Sequence, residues 1–136
     1  MKKKILVCGA SGFMGRNIVD YFSKLNDYEV YGVSYNNPGK SSIRGMNHLG
    51  CDLTTHSGIK HVFDGRDIDI VIQAAANTSG AKDIIEKPYL HVTDNAVMNS
   101  LLLRACHDYN VKHFLFLSCG VMYNPDNSPV TEDDFS

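Results

Sequence analysis

The chain has no run of apolar residues approaching the roughly 18 that a membrane span requires, so no such span is read anywhere in its 136 residues. Lys2-Lys3-Lys4 does precede an apolar stretch, but that stretch stops at Ala10. This is short of the roughly 7–15 residues of a signal-peptide core, and the stretch reads better as a first strand. Cysteine is sparse. Cys8, Cys51, Cys106 and Cys119 form no C-x-x-C pair and the six histidines show no ligand-like spacing, which leaves neither a disulfide framework nor a metal site to propose. Cys8 and Cys106 read as small core residues. A net charge of −2 gives no general attraction to nucleic acid or to an anionic membrane surface. There is no internal repeat and no low-complexity linker, and the lack of a G-x-x-x-x-G-K-[ST] loop, together with an alanine run at Ala74-Ala75-Ala76 that suits a flat dinucleotide better, argues against a flavodoxin-like or phosphate-binding α/β domain. With 43% hydrophobic and 21% charged residues, the expectation is one soluble cytoplasmic domain with a real core.

What is present is an alternation of apolar runs and helical periodicities. Lys3 to Cys8 is a continuous apolar strand of the kind buried on both faces. Phe13, Ile18, Phe22 and Leu25 then recur at helical spacing, with Arg16, Asp20 and Lys24 on other faces. Glu29 to Val33 reads as a second strand, followed by turn chemistry at Asn36-Asn37-Pro38-Gly39. Ser41 to Asn47 is weakly patterned, a short helix or a loop. Leu49 to Leu53 reads as a third strand, and Thr54 or Thr55 as the cap of a helix through Ile59, Val62 and Phe63. Asp69 to Ala74 is a fourth strand and Lys112 to Leu117 a fifth. Between them Tyr89 to Tyr109 forms the longest helix, marked by Val92, Ala96, Val97, Leu101, Leu102 and Ala105. Such alternation predicts an α/β fold: a doubly wound parallel sheet of about five strands with helices on both faces.

Gly9-Ala10-Ser11-Gly12-Phe13-Met14-Gly15 sits where the first strand hands over to the first helix. A pyrophosphate needs bare backbone N–H groups at a helix N-terminus, where the helix dipole favours an anion. In this reading Gly9 takes the tight turn, Gly12 admits the phosphates and Gly15 lets the helix pack closely on the strand. The spacing is G-x-x-G-x-x-G, one residue longer at the front than G-x-G-x-x-G. Ligands of parallel α/β sheets bind beyond the carboxyl ends of the strands, which directs attention, besides the glycine turn, to Ser34 to Asn37, Asp52-Leu53, Ala74 to Ser79 and Ser118 to Tyr123. Small alanines allow a flat cofactor against the backbone, or simply pack tightly. Asp52 is an acceptor for an adenine amino group, or a turn aspartate.

Taken in order, the glycine turn, Asp52-Leu53, the three alanines, Asp94-Asn95 and Ser118 through Tyr123 resemble extended short-chain dehydrogenases/reductases. More narrowly they resemble the nucleotide-sugar epimerase/dehydratase group, including GDP-fucose synthase, from Lys4 to about Glu132. The resemblance implies a Rossmann domain holding NAD or NADP. Its cofactor-binding residues would be Gly9, Ser11, Gly12, Phe13, Met14, Gly15, Ser34, Asp52, Leu53, Ala74, Ala75, Ala76 and Asn95. Asn77, Thr78 and Ser79 would face the substrate. It further implies a nucleotide-sugar substrate, hydride transfer at a sugar carbon, no nucleic-acid or membrane partner, and room for a homodimer. A smaller substrate-binding C-terminal domain is expected after residue 136, so that this chain reads as a fragment or an expression boundary.

Two departures from the family pattern stand out. The catalytic Y-x-x-x-K is absent, since Tyr109 is followed by Lys112, one residue too close; the expectation is cofactor binding without turnover, Tyr and Lys lying beyond Ser136. The position four before Tyr123, where the resemblance places a hydroxyl residue, is Cys119, with Ser118 one residue earlier, so either of these two takes the catalytic position. At the end of the second strand, where Asp or Glu would grip the ribose and disfavour a 2′-phosphate, the family alignment places neutral Ser34, with Lys40 and Arg44 following. NADP is therefore expected to bind at least as well as NAD. The competing reading from another class is a non-catalytic NAD(P)-binding sensor or scaffold module.

Overall fold

The computed structural model describes residues 1–35, 43–78, 81–118, 123 and 129–134. In chain order these form β1 (Lys3–Cys8), α1 (Phe13–Ser23), β2 (Tyr28–Ser34), β3 (Met46–Gly50), α2 (His56–Phe63), β4 (Ile70–Gln73), α3 (Ala81–Glu86), α4 (Pro88–Asp108) and β5 (His113–Phe116), with a 3-10 turn at Glu132–Asp134. The sheet order is β3-β2-β1-β4-β5 and every pairing is parallel. The chain therefore starts in the middle, winds outward to β3, then returns past β1 to β4. The strand order reverses between β1 and β4, and at such a switch two adjacent connections leave in opposite directions and open a crevice. No helix among the described residues is long and apolar enough to cross a membrane.

Because successive strand side chains point to opposite faces, the unbroken apolar run of β1 feeds two cores. Leu6 and Cys8 join Val33, Val71, Val62, Phe63 and Leu102 under α2 and α4, while Ile5 and Val7 join Val30, Ile72 and Val19 under α1. Cys8 and Cys106 are both buried, as small core residues should be. Thr55 caps α2, its Oγ1 accepting from the Gly58 N–H at 3.0 Å.

Several boundaries and faces differ from the sequence reading. The third strand begins at Met46 and ends at Gly50, three residues early, because its register with β2 pairs Val30 with Met46 and Ser34 with Gly50. Cys51 to Leu53 instead form the following turn. The short helix α3 had no counterpart in the sequence reading. In α4 the buried stripe is Met98, Leu102, Ala105 and Cys106, whereas Val92 and Val97 point outward at 68% and 45% exposure. Phe13 is likewise 71% exposed; it stands on the first turn of α1, beyond the sheet, with the Arg16 guanidinium 5.6 Å above its ring. β5 forms one edge of the sheet, and its Leu115 and Phe116 are half exposed.

Candidate functional site

The glycine turn lies at the β1 end of the switch point, and its three glycines do different jobs. Gly9 has φ +75°, and a Cβ there would meet the Ala75 Cα at 2.7 Å and the Ala74 oxygen at 2.8 Å. Only glycine lets the turn press onto the backbone leaving β4. A Cβ at Gly15 would collide with the Gly9 carbonyl oxygen, so this glycine seats α1 against the turn itself, where the sequence reading set it against the strand. Gly12 donates its N–H to the Gly9 oxygen at 2.9 Å and is the N-cap of α1. No side chain caps the helix and no acid stands in its first turn. The leading N–H groups of a helix have no partner within it, so α1 begins with uncompensated donors and partial positive charge.

In front of this turn is a cleft of about 260 Å³ whose walls are Gly9, Ser11 and Gly12, then Val33 to Tyr35, Cys51, Leu53, and Ala74 to Ala76. A neighbouring cleft of about 410 Å³ shares Tyr35, Ala75 and Ala76 and adds Asp52, Thr54, Asn77, Asp94, Asn95 and Met98. Residues from five separate parts of the chain thus meet around the two clefts. Phe13, Met14 and Gly15 do not line either cleft. Thr78 is exposed beyond them, and Ser118 is exposed just after β5. Ser79, Cys119 and Lys40 lie outside the described residues, while Arg44 is exposed in the turn before β3.

The polar side chains carry most of the chemistry. Ser34 is 4% exposed, and its Oγ lies 2.7 Å from the Nε2 of His48 on β3. Asp52 spends Oδ1 on a turn, accepting from the Thr54 N–H at 2.8 Å and its hydroxyl at 2.6 Å. Its Oδ2 has no hydrogen bond among the described residues. Asp52 is therefore both a turn aspartate and a carboxylate with a spare acceptor beside the cleft. Asn95 acts on the loop after β4: Oδ1 accepts from the Asn77 N–H at 2.7 Å and Nδ2 donates to the Asn77 oxygen at 3.1 Å. Asn77 in turn donates from Nδ2 to Asp94 at 2.8 Å. Burial pushes the Cys51 thiol up to about 11, the Asp52 charge adding to the effect and Arg66 opposing it, so at neutral pH the cleft meets a thiol and not a thiolate.

Two contributors escaped the sequence reading. Gln73, at 1% exposure, donates from Nε2 to the Ala75 oxygen at 3.1 Å and to Asn99 Oδ1 at 2.7 Å, and accepts the Ala75 N–H at 3.3 Å. It holds both backbone groups of the alanine that forms the cleft floor. An amide in an otherwise apolar strand is the one signal that marked it. His48 had none, since its meeting with Ser34 depends on strand register.

A UDP-glucose 4-epimerase of Caenorhabditis elegans is 26% identical over 145 residues, covering 94% of this chain and 41% of its own length. A GDP-L-colitose synthase of Yersinia pseudotuberculosis is 30% identical over 131 residues, with 96% and 38% covered. The solved structure of a Thermotoga maritima UDP-glucose 4-epimerase with UDP-glucose superposes at a TM-score of 0.84 and 25% identity over 97% of this chain and 44% of that one. The chain thus spans about two fifths of the length of the relatives it matches. Residues 5–136 match the NAD dependent epimerase/dehydratase family, and the chain belongs to that family.

Proposed function

We propose that this chain is the cofactor-binding portion of an NAD(P)-dependent nucleotide-sugar epimerase, dehydratase or reductase. The observation that carries the proposal is the uncapped N-terminus of α1 beneath a turn whose Gly9 and Gly15 admit no Cβ, at the switch point of the sheet. Backbone donors and helix charge converge where an anion gains most from them. The residues of this cradle fit a dinucleotide. The N–H groups at the start of α1 would hold the pyrophosphate, Ser34 the adenosine ribose, and Asp52 Oδ2 would accept from the adenine amino group. Ala74 to Ala76 present a flat backbone floor that Gln73 fixes. When bound, the nicotinamide ring supplies a hydride acceptor or donor for a sugar carbon.

Asn77 and Thr78 follow that floor and are assigned to the substrate side, with Asn95 and Asp94 fixing the loop that carries them. Ser118, directly after β5, is assigned the hydroxyl role toward the sugar. Proton transfer in this reading needs a tyrosine and lysine from a following segment, along with a substrate domain, so the chain by itself binds cofactor and does not turn over. NADP is accepted at least as well as NAD because no acid stands at the end of β2 to repel a 2′-phosphate. Calorimetric titration of the purified chain with NAD⁺ and NADP⁺ tests both statements. Saturable binding of each is expected. A clear preference for NAD⁺ overturns the cofactor preference, and binding of neither overturns the site.

A further inference from the structure

The end of β2 holds a pair of side chains with a chemistry that neither has alone. The register sets Gly32 opposite His48 and Ser34 opposite Gly50, so Ser34 and His48 emerge on one face of the sheet. A Cβ placed on Gly32 would lie 2.8 Å from the Ala10 Cβ, which identifies that face as the one under the glycine turn. The turn is tied to the same strand end, the Ala10 N–H donating to the Val33 oxygen at 2.9 Å. Ser34 shares the 260 Å³ cleft with Gly9 and Gly12, and its hydroxyl is nearly withdrawn from solvent with His48 Nε2 at 2.7 Å.

A carboxylate at such a place only accepts hydrogen bonds, so it suits a ribose hydroxyl and repels a phosphate. A serine hydroxyl has one proton to give and lone pairs to accept with, and a histidine nitrogen either donates or accepts according to its tautomer. When Nε2 accepts the Ser34 proton, the lone pairs of Oγ are left for a ribose 2′-hydroxyl that donates. When Nε2 carries its proton and donates it to Oγ, the Ser34 O–H is released toward a phosphate oxygen. Resting on the cofactor reading above, we propose that His48 is a positioning residue that sets the polarity of the Ser34 hydroxyl. The pair then takes either a 2′-hydroxyl or a 2′-phosphate on the adenosine ribose. No atom of His48 need touch the ligand. Dual acceptance then depends on a residue of the neighbouring strand and not only on the lack of an acid at the end of β2.

The test uses two probes that differ only at the 2′ position, 5′-AMP and 2′,5′-ADP, titrated calorimetrically into the whole chain. The wild-type protein should bind both, with dissociation constants within about tenfold of each other. His48→Leu removes the Nε2 donor. It should weaken 2′,5′-ADP by about fivefold or more, the scale of the neutral Nε2–Oγ hydrogen bond it removes, while 5′-AMP changes by less than about threefold. His48→Gln offers an amide N–H or carbonyl from a similar reach and should restore most of the lost 2′,5′-ADP affinity. A purely structural role would move both probes together, so the ratio of the two constants is the readout, with thermal unfolding run alongside. An unchanged ratio in His48→Leu overturns the proposal while leaving the cofactor site standing. So does a wild-type preference for 5′-AMP beyond tenfold. Binding of neither probe to the wild-type chain overturns the cofactor reading and this proposal with it.

Discussion

Replacing Gly9 by alanine separates two costs that the structure places at one position. The backbone there has φ +75°, and a residue with a Cβ in the left-handed region costs about 1–2 kcal/mol. The added methyl would also stand 2.7 Å from the Ala75 Cα and 2.8 Å from the Ala75 nitrogen and Ala74 oxygen. All three are backbone atoms that cannot rotate aside. Forcing such a contact costs about 1–3 kcal/mol more, or about 2–5 kcal/mol in all. Gly65 supplies the internal control, because its φ is +72° but a Cβ there has nothing within 4 Å, so Gly65→Ala carries the conformational cost alone. A chain of this length loses about 3–4 °C of Tm per kcal/mol. Gly9→Ala should therefore lower Tm by about 6–20 °C and Gly65→Ala by about 3–8 °C. Urea unfolding of both variants against wild type gives the free energies directly. Equal losses at the two positions would refute the claim that the turn is pressed onto the end of β4, and with it the geometric basis of the cradle.

The remaining expectations follow from side-chain contacts. Gln73→Leu leaves both backbone groups of Ala75 and the Asn99 amide without their buried partner, which should destabilise the chain by about 1–3 kcal/mol and weaken dinucleotide binding several-fold. Unfolding and titration of the same preparation check this, and full retention of affinity would remove Gln73 from the site. Asp64, on the surface, takes the Tyr109 hydroxyl at 2.6 Å and Lys60 at 2.8 Å. The Lys60 and then the Tyr109 bonds hold its carboxyl below the usual range, while the bond to Asp64 raises the Tyr109 phenol. The lowered carboxyl contributes stability that is present above the ordinary carboxylate value near 4 and lost as pH falls through the lowered one. The raised phenol contributes stability that is present below about 10 and lost as pH rises through the raised value. Asp64→Asn should flatten both limbs of a plot of urea midpoint against pH. Identical limbs in the variant and wild type would show that the contact has no influence on folding.

How far the sequence discloses this molecule depends on the range of the interaction involved. Ile5 to Cys8 of β1 and Val71 to Gln73 of β4 are buried, so these stretches are apolar save Gln73 and the strands are plain from the chain alone. β3 is an edge strand, and two of its five residues are Asn47 and His48. Its apolar signature therefore reduces to Met46 and Leu49, which is why the expected strand slid forward onto Leu49 to Leu53. The helical periodicity of Phe13 and Val97 was real, but periodicity reports a stripe and not what lies beneath it; Phe13 stands past the end of the sheet. The backbone half of the site was legible for the opposite reason. A left-handed turn and a helix start pressed against it can be met only by glycine at Gly9 and Gly15, so a local rule writes the cradle into the sequence. The side-chain half is set by register between strands and by the contact of β4 with α4. Ser34 meets His48 because Ser34 pairs with Gly50, and Gln73 meets Asn99 across 26 residues of chain. Composition cannot encode such meetings. Under the function proposed above, the glycines hold the dinucleotide by a local backbone rule, whereas the Ser34–His48 pair sets its 2′ specificity through strand register.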